Sequence, residues 1–264
     1  MQKYLKILWR VGRMAVMRDL MYRFEVFITS PAAFVYIVIN IFWIKYLFAV
    51  IGGQTIAGYS GWDFYLLLFT GQIGAALFFA FVQRSSNTVR EQVVRGELDY
   101  FLIKPAASWF LISFQDMNFR VFVSIIGYLV VAIPWIIIAG NYHFGIWQWI
   151  NIILILVFSF VLSFCLRWIV TLLSFYWEKF DAGIFFIESL ENVNYFPKAV
   201  FPEWLQFVFL YVLPMAFVNA PLYQVIDNSW NINLLFEMIG VVVIFTLLLG
   251  LMWRFSLKKY SSAG

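Results

Sequence analysis

Residues 84–108 read RSSNTVREQVVRGELDYFLIKPAAS, and the reading of this stretch decides the rest of the chain. Arg84, Arg90, Glu91, Arg95, Glu97, Asp99 and Lys104 make it the longest internal run that cannot lie in hydrocarbon, where each charge costs about 3 kcal/mol or more. The stretch is also locally specified. Thr88 with Glu91 three residues later has the form of a capping box, which predicts a short helix over 88–95. Gly96 suits the left-handed residue just past its end. A second segment, 97–103, sets Leu98, Phe101 and Leu102 on one face, and Pro105 stops it. Two short amphipathic pieces between apolar runs fit a docking surface as well as an ordinary polar connection.

Outside this stretch the chain is overwhelmingly apolar. Of 264 residues, 64% are hydrophobic and 12% charged, with a mean hydropathy of +0.86; a soluble domain carries about 25% charged residues. The composition predicts one all-α polytopic membrane domain over residues 1–264. The net charge of +4 is no nucleic-acid signal, because the basic residues follow the loops rather than forming a patch. Cys165 is the single cysteine, so no internal disulfide is possible.

Residues 2–23 do not read as a signal peptide, since Arg10 and Arg13 interrupt any apolar core. Lys3, Lys6, Arg10 and Arg13 recur at three and four residues and share a helical face, which predicts an interfacial amphipathic helix over 1–25. Apolar runs then predict six spans: about 31–51, 62–82, 119–139, 148–168, one beginning near Gly183, and 234–253. Residues 109–118 read as an inward extension of the third span. Gly71 and Ala75 in the second form a small-xxx-small pair for close helix packing. Pro202, Pro214 and Pro221 break the chain before the last span, and the apolar run between the first two of them is too short to cross. Residues 200–224 are therefore read as a re-entrant or interfacial hairpin at the outer side. Lys and Arg crowd the amino end, the 84–108 loop and the tail, whereas the opposite loops offer only Lys198. Both termini are expected on the cytoplasmic side.

No G-x-x-x-x-G-K-[ST] loop occurs, so ATP phosphates have no cradle in this chain. His143 is the only histidine and has no metal-ligand spacing around it. Ionisable groups within the spans are the remaining signal. Asp116 and Arg120, four apart with the acid first, read as a helical ion pair. Arg167, at an inner span end, reads as a headgroup contact. Glu188 and Glu191 share a face of the fifth span with no cation on that helix nearby, and Asn194 follows. They read either as groups hydrogen-bonded to neighbouring helices or as the lining of a hydrated pathway.

Arg95-Gly96-Glu97-Leu98-Asp99, then Leu102 and Lys104-Pro105, resembles the R-x-G-x-L-D-x-x-L-x-(K/R)-P signature of an ABC-2-type exporter permease subfamily. Phe196-Pro197, Phe201-Pro202-Glu203-Trp204-Leu205, Leu213-Pro214 and Ala220-Pro221 resemble its proline-punctuated outer segment. The resemblance implies the membrane subunit of an exporter in a bacterial plasma (inner) membrane. It also implies a separate ABC ATPase subunit that holds the ATP and Mg and a second permease subunit, identical or not, in the same lipid bilayer. The 84–108 loop would then be the coupling loop, with Arg90, Glu91, Arg95, Gly96, Glu97, Leu98, Asp99, Phe101, Leu102 and Pro105 as its contact residues. The loop looks closest to exporters of viologen-like cationic toxicants, so Glu188, Glu191 and Asn194 become the expected substrate path. A lipid or glycan export permease and an ion-gradient secondary transporter stay open as alternatives.

Overall fold

Among the described residues the longest buried run, 64–74, lies on the helix that Ser60 caps. The Ser60 hydroxyl accepts from the Asp63 N–H (3.3 Å) while the Asp63 carboxylate accepts from the Ser60 N–H (2.7 Å), a reciprocal cap that starts helix α3, Gly61–Phe78. Tyr142 donates to the same carboxylate (2.5 Å), tying the 140–145 loop to this cap. Burial, and then the Asp63 hydrogen bond, raises the Tyr142 phenol above its ordinary range, so the donor keeps its proton. Ser60→Ala is expected to cost about 1 kcal/mol, read as a lower thermal unfolding midpoint of the detergent-purified chain. An unchanged midpoint would show that Tyr142 alone holds Asp63.

The computed structural model describes residues 2–21, 23–177, 181–190, 196–214, 219–226 and 232–260. Among them every regular element is helical, with one isolated bridge between Ile56 and Tyr59. After α1 (Gln2–Met21) and α2 (Arg23–Val50), α3 runs through a π-helical turn at Phe79–Gln83 into α4 (Arg84–Arg95). Short helices α5 (Asp99–Leu102) and α6 (Ser108–Ser113) follow. Next come α7 (Arg120–Gly127), a π turn at Tyr128–Ala132 and α8 (Ile133–Ala139), then α9 (Ile146–Leu172) and α10 (Asp181–Leu190). Helix α11 (Glu203–Phe207) leads into a π turn at Val208–Val212, and α12 (Asn219–Ile226) and α13 (Ile232–Lys259) complete the order.

Among the described residues four helices are long and apolar enough to cross a membrane: Gly61–Val93, Arg120–Ala139, Ile146–Phe175 and Ile232–Lys259. The first has 78% of its most apolar window buried, against 17–33% for the other three, so α3 is the central post and the others present much of their surface outward. Leu67 and Phe69 of α3, Ile136 of α8, Ile155 and Leu162 of α9, Leu222 of α12 and Met238 of α13 meet in one core. Ala76 and Ala80 face Ile125 of α7, a second small pair where two helices approach. Gly71 is buried in the same helix and Ala75 half-buried.

Several sequence expectations are corrected here. The second span does not stop near residue 82, and no helix starts at Thr88. The helix continues unbroken from Gly61, and the Thr88 hydroxyl donates back to the Arg84 carbonyl (3.0 Å) instead of capping. The reason is burial: Ser85 and Ser86 sit inside the protein, so the R-S-S-N run that reads as a polar exit is packed helix. Residues 109–118 do not extend the third span. Helix α6 ends at Ser113, and the chain through 114–118 is held as a loop by the Asn118 N–H donating to the Ala80 carbonyl (2.8 Å). Ser85 Oγ bridges the Asp116 carbonyl and N–H (2.8 and 3.0 Å). The first expected span falls within α2, with an apolar stretch at Phe34–Val50. The fifth enters as α10; its continuation, with Glu191 and Asn194, lies outside the described residues. In the proline-rich region α11 with its π turn and α12 are each too short to cross alone, and α12 packs on α3 and α9.

Candidate functional site

The end of α4 is closed by a Schellman arrangement. Gly96 takes the left-handed conformation (φ 70°), its N–H donating to the Val93 carbonyl (3.3 Å) and the Glu97 N–H to that of Gln92 (2.9 Å). That turn aims the next residues back into the protein. Leu98 is 0% exposed and Phe101 is buried; both pack with Phe78, Val82, Val89, Ile112 and Trp168. Lys104 lies over the Tyr100 ring (3.4 Å) and above Phe101 (4.9 Å), and Lys3 of α1 donates to the Pro105 carbonyl. Tyr260, just past α13, packs against this cluster. Burial, and then Asp99, raises its phenol.

The loop therefore has two faces. Leu98 and Phe101 point inward as its anchors. Leu102, which the sequence puts on the same face, does share one helical turn with Leu98, its N–H donating to the Leu98 carbonyl (3.2 Å), but it is exposed because the core cluster ends at Leu98 and Phe101. The outward face carries Tyr100 (62% exposed), Ile103 (81%) and Leu102, with Glu97 and Pro105 beside them. Glu91 and Arg95 form an exposed ion pair (3.6 Å) on the preceding helix. Arg90 is half-buried on α4 and Asp99 half-buried at the start of α5. A rigid, capped turn thus presents an apolar ridge flanked by charges of both signs.

Beneath the loop lie two charge networks that sequence reading left unassembled. Arg167 of α9 is 0% exposed. It pairs with Glu188 of α10 (2.8 Å) and donates to Ser86 Oγ (2.9 Å) and Asn87 Oδ1 (2.8 Å) of α4, while Gln83 Nε2 donates to the same Glu188 oxygen (3.3 Å). Arg167 is therefore no headgroup contact: it joins α4, α9 and α10. Glu188 is correspondingly not a free carboxylate. The only signal in the sequence was their opposite charge on either side of the charged turn at 178–181, and it was weak, because Arg167 lies 11 residues before that turn and Glu188 only 7 after it.

The second network locks α1 in place. Asp19 is fully buried, lies near Arg18 (3.5 Å), Arg120 (3.8 Å) and Arg84 (3.9 Å), and accepts from the Phe119 N–H (2.9 Å) at the start of α7. A carboxylate there also meets the positive end of that helix. Asp116, in the loop and not on a helix with Arg120, accepts from Arg18 and lies 3.4 Å from Arg84. Burial pulls the Arg18 guanidinium down, but Asp116 and Asp19 together hold it above its ordinary value. Lys3, Lys6, Arg10 and Arg13 of α1 are exposed, as are Leu5 and Trp9 beside them.

Among the described residues no group of three metal-ligating side chains occurs. Residues 34–264 match the family described as ABC-2 family transporter protein. No curated protein and no solved structure matches the chain.

Proposed function

Because the chain belongs to the ABC-2 family of transporter proteins, and so is a multi-pass membrane subunit of an ABC transporter, we propose that it is a six-span exporter permease driven by a separate ATPase seated on its 84–108 loop. The observation that carries this reading is the exposed ridge of Tyr100, Leu102 and Ile103 on a turn fixed by the Gly96 cap and the buried Leu98. Apolar anchors on a rigid support lose little entropy on docking, and charges such as Glu91 and Arg95 at the rim set orientation more than affinity. The basic end, with α1 and the tail, faces the cytoplasm of a bacterial cell. A second permease copy or sister subunit completes the pathway, and the 200–224 segment forms a re-entrant hairpin at the outer side.

Motion at the loop reaches the membrane through Arg167. A push on α4 displaces Ser86 and Asn87, and the guanidinium passes that displacement to α9 and, through Glu188, to α10. The ATP and Mg belong to the partner, and this chain supplies the path and the transmission. The substrate is a drug-like or lipid-like amphiphile moved outward. Glu188 answers the charge of Arg167, so a preference for cations rests on Glu191 and Asn194, outside the described residues.

Ile103→Asp combined with Tyr100→Ala tests the docking face. Losing two anchors of about 1–2 kcal/mol each should lower ATPase co-purification by tenfold or more, with the thermal unfolding midpoint unchanged. Recovery of the ATPase at the native ratio would move its seat off this ridge.

A further inference from the structure

At the basic end of the bundle, α6, α9 and α13 enclose a groove of about 570 Å3, inside the range of roughly 300–1,000 Å3 found for small-molecule sites. Its walls are rings. Phe114 stacks on Phe164 (6.0 Å, 16°), Phe164 meets Trp168 (6.2 Å), and Trp253 closes the α13 side. The hydroxyl and the thiol on the α9–α13 wall are already occupied, while Trp168 Nε1 is buried without a partner: Thr246 donates to the Val242 carbonyl (2.7 Å), and Cys165 Sγ lies against the Thr246 hydroxyl (3.8 Å). Among the described residues no carboxylate lines the groove. At one end stands Arg254, exposed and, among the described residues, in no ion pair; Lys258 and Lys259 follow on the same helix.

We propose that this groove binds one anionic phospholipid, with an acyl chain between the rings and the phosphate on Arg254. What the groove offers a ligand is hydrocarbon contact along its length and one unspent cation at its mouth. That combination matches an anionic amphiphile and rejects a cationic one, which would find no counter-charge. A soluble phosphate would gain Arg254 but nothing from the rings. A second protein copy would press on a broad surface, whereas these walls form a concave slot of ligand size. The site needs only the membrane placement of the chain and stands apart from the transport reading.

The test uses the full chain in phosphatidylcholine nanodiscs doped with phosphatidylglycerol carrying a photoactivatable acyl chain. Adducts should concentrate on residues 160–168 and 246–253 and be competed by unlabelled phosphatidylglycerol, but not by phosphatidylcholine or free glycerol phosphate. Arg254→Gln should lower them about fivefold, as expected for one basic residue at an anionic surface. A Cβ built at Gly250 meets nothing within 4 Å, so Gly250→Phe can fill the groove. Displacing even two methylenes should lower labelling about tenfold or more. Photoactivatable phosphatidylcholine labelling the same residues equally would overturn the proposal, leaving an unselective hydrocarbon layer. So would copy-to-copy cross-links through the groove. The competition on the native chain decides the matter even if a variant fails to fold.

Discussion

Glu188→Leu is expected to destabilise the protein by about 3–5 kcal/mol, more than Arg167→Met at the other end of the same ion pair. The asymmetry follows from burial. Arg167 is 0% exposed, so removing Glu188 strands a guanidinium that Ser86 and Asn87 solvate but do not neutralise. In the reverse case Glu188 keeps 33% exposure and the Gln83 donor, Asn87 is exposed, and the Ser86 hydroxyl still reaches the Gln83 carbonyl (2.8 Å). Arg167→Met then loses hydrogen bonds worth about 1–3 kcal/mol together and leaves no uncompensated buried charge. The double variant should be more stable than Glu188→Leu alone. Thermal unfolding of the four proteins in detergent measures the coupling. Equal losses that simply add would mean the two side chains do not depend on each other. Arg167→Met should also lower transport while ATPase binding persists, because it cuts the link from α4 to α10.

How much of this was legible in the sequence varies with the range of the interaction. Helix content, membrane placement and the Gly96 cap depend on composition and on a few adjacent residues, and these follow from the letters. The start of α4 does not. Arg84-Ser85-Ser86-Asn87 looks like a polar exit, but Ser85 is buried against the 114–118 loop and Ser86 against Arg167 of α9, and only the tertiary fold brings those neighbours there. The charges show the same limit. Asp116 and Arg120 suggest each other by spacing, but the chain between them is not one helix, and Asp116 turns to Arg18 and Arg84. Asp19 carried little local signal, because all its partners but the adjacent Arg18 come from α4 and α7. The Leu98–Leu102 pair failed for a different reason. The helical face is there, with the Leu102 N–H on the Leu98 carbonyl, but the apolar cluster beneath it reaches only Leu98 and Phe101, so one residue is core and the other surface.

That last distinction separates two kinds of loop variant, and the larger effect belongs to the residue a partner cannot touch. Leu98→Asp places a carboxylate where the side chain is 0% exposed, among Phe78, Val82, Val89, Ile112 and Trp168. Leu→Ala at such a site costs about 2–5 kcal/mol, and an unpaired charge adds several kcal/mol more. The expected result is collapse of the 96–113 region, with a lower unfolding midpoint, rapid proteolysis after Arg95 and lost ATPase recovery. Gly96→Val acts at the same hinge through the backbone. At φ 70° a β-branched residue is strained by about 1–3 kcal/mol, so the cap opens and Leu98 leaves its socket. Gly96→Asn, which tolerates that conformation, should retain most of the function. The pattern differs in kind from the Ile103 and Tyr100 substitutions, which should remove the partner and leave stability intact. If Leu98→Asp kept the native midpoint and protease resistance while losing the ATPase, Leu98 would be the docking contact, and the inward anchor assigned to it here would be wrong.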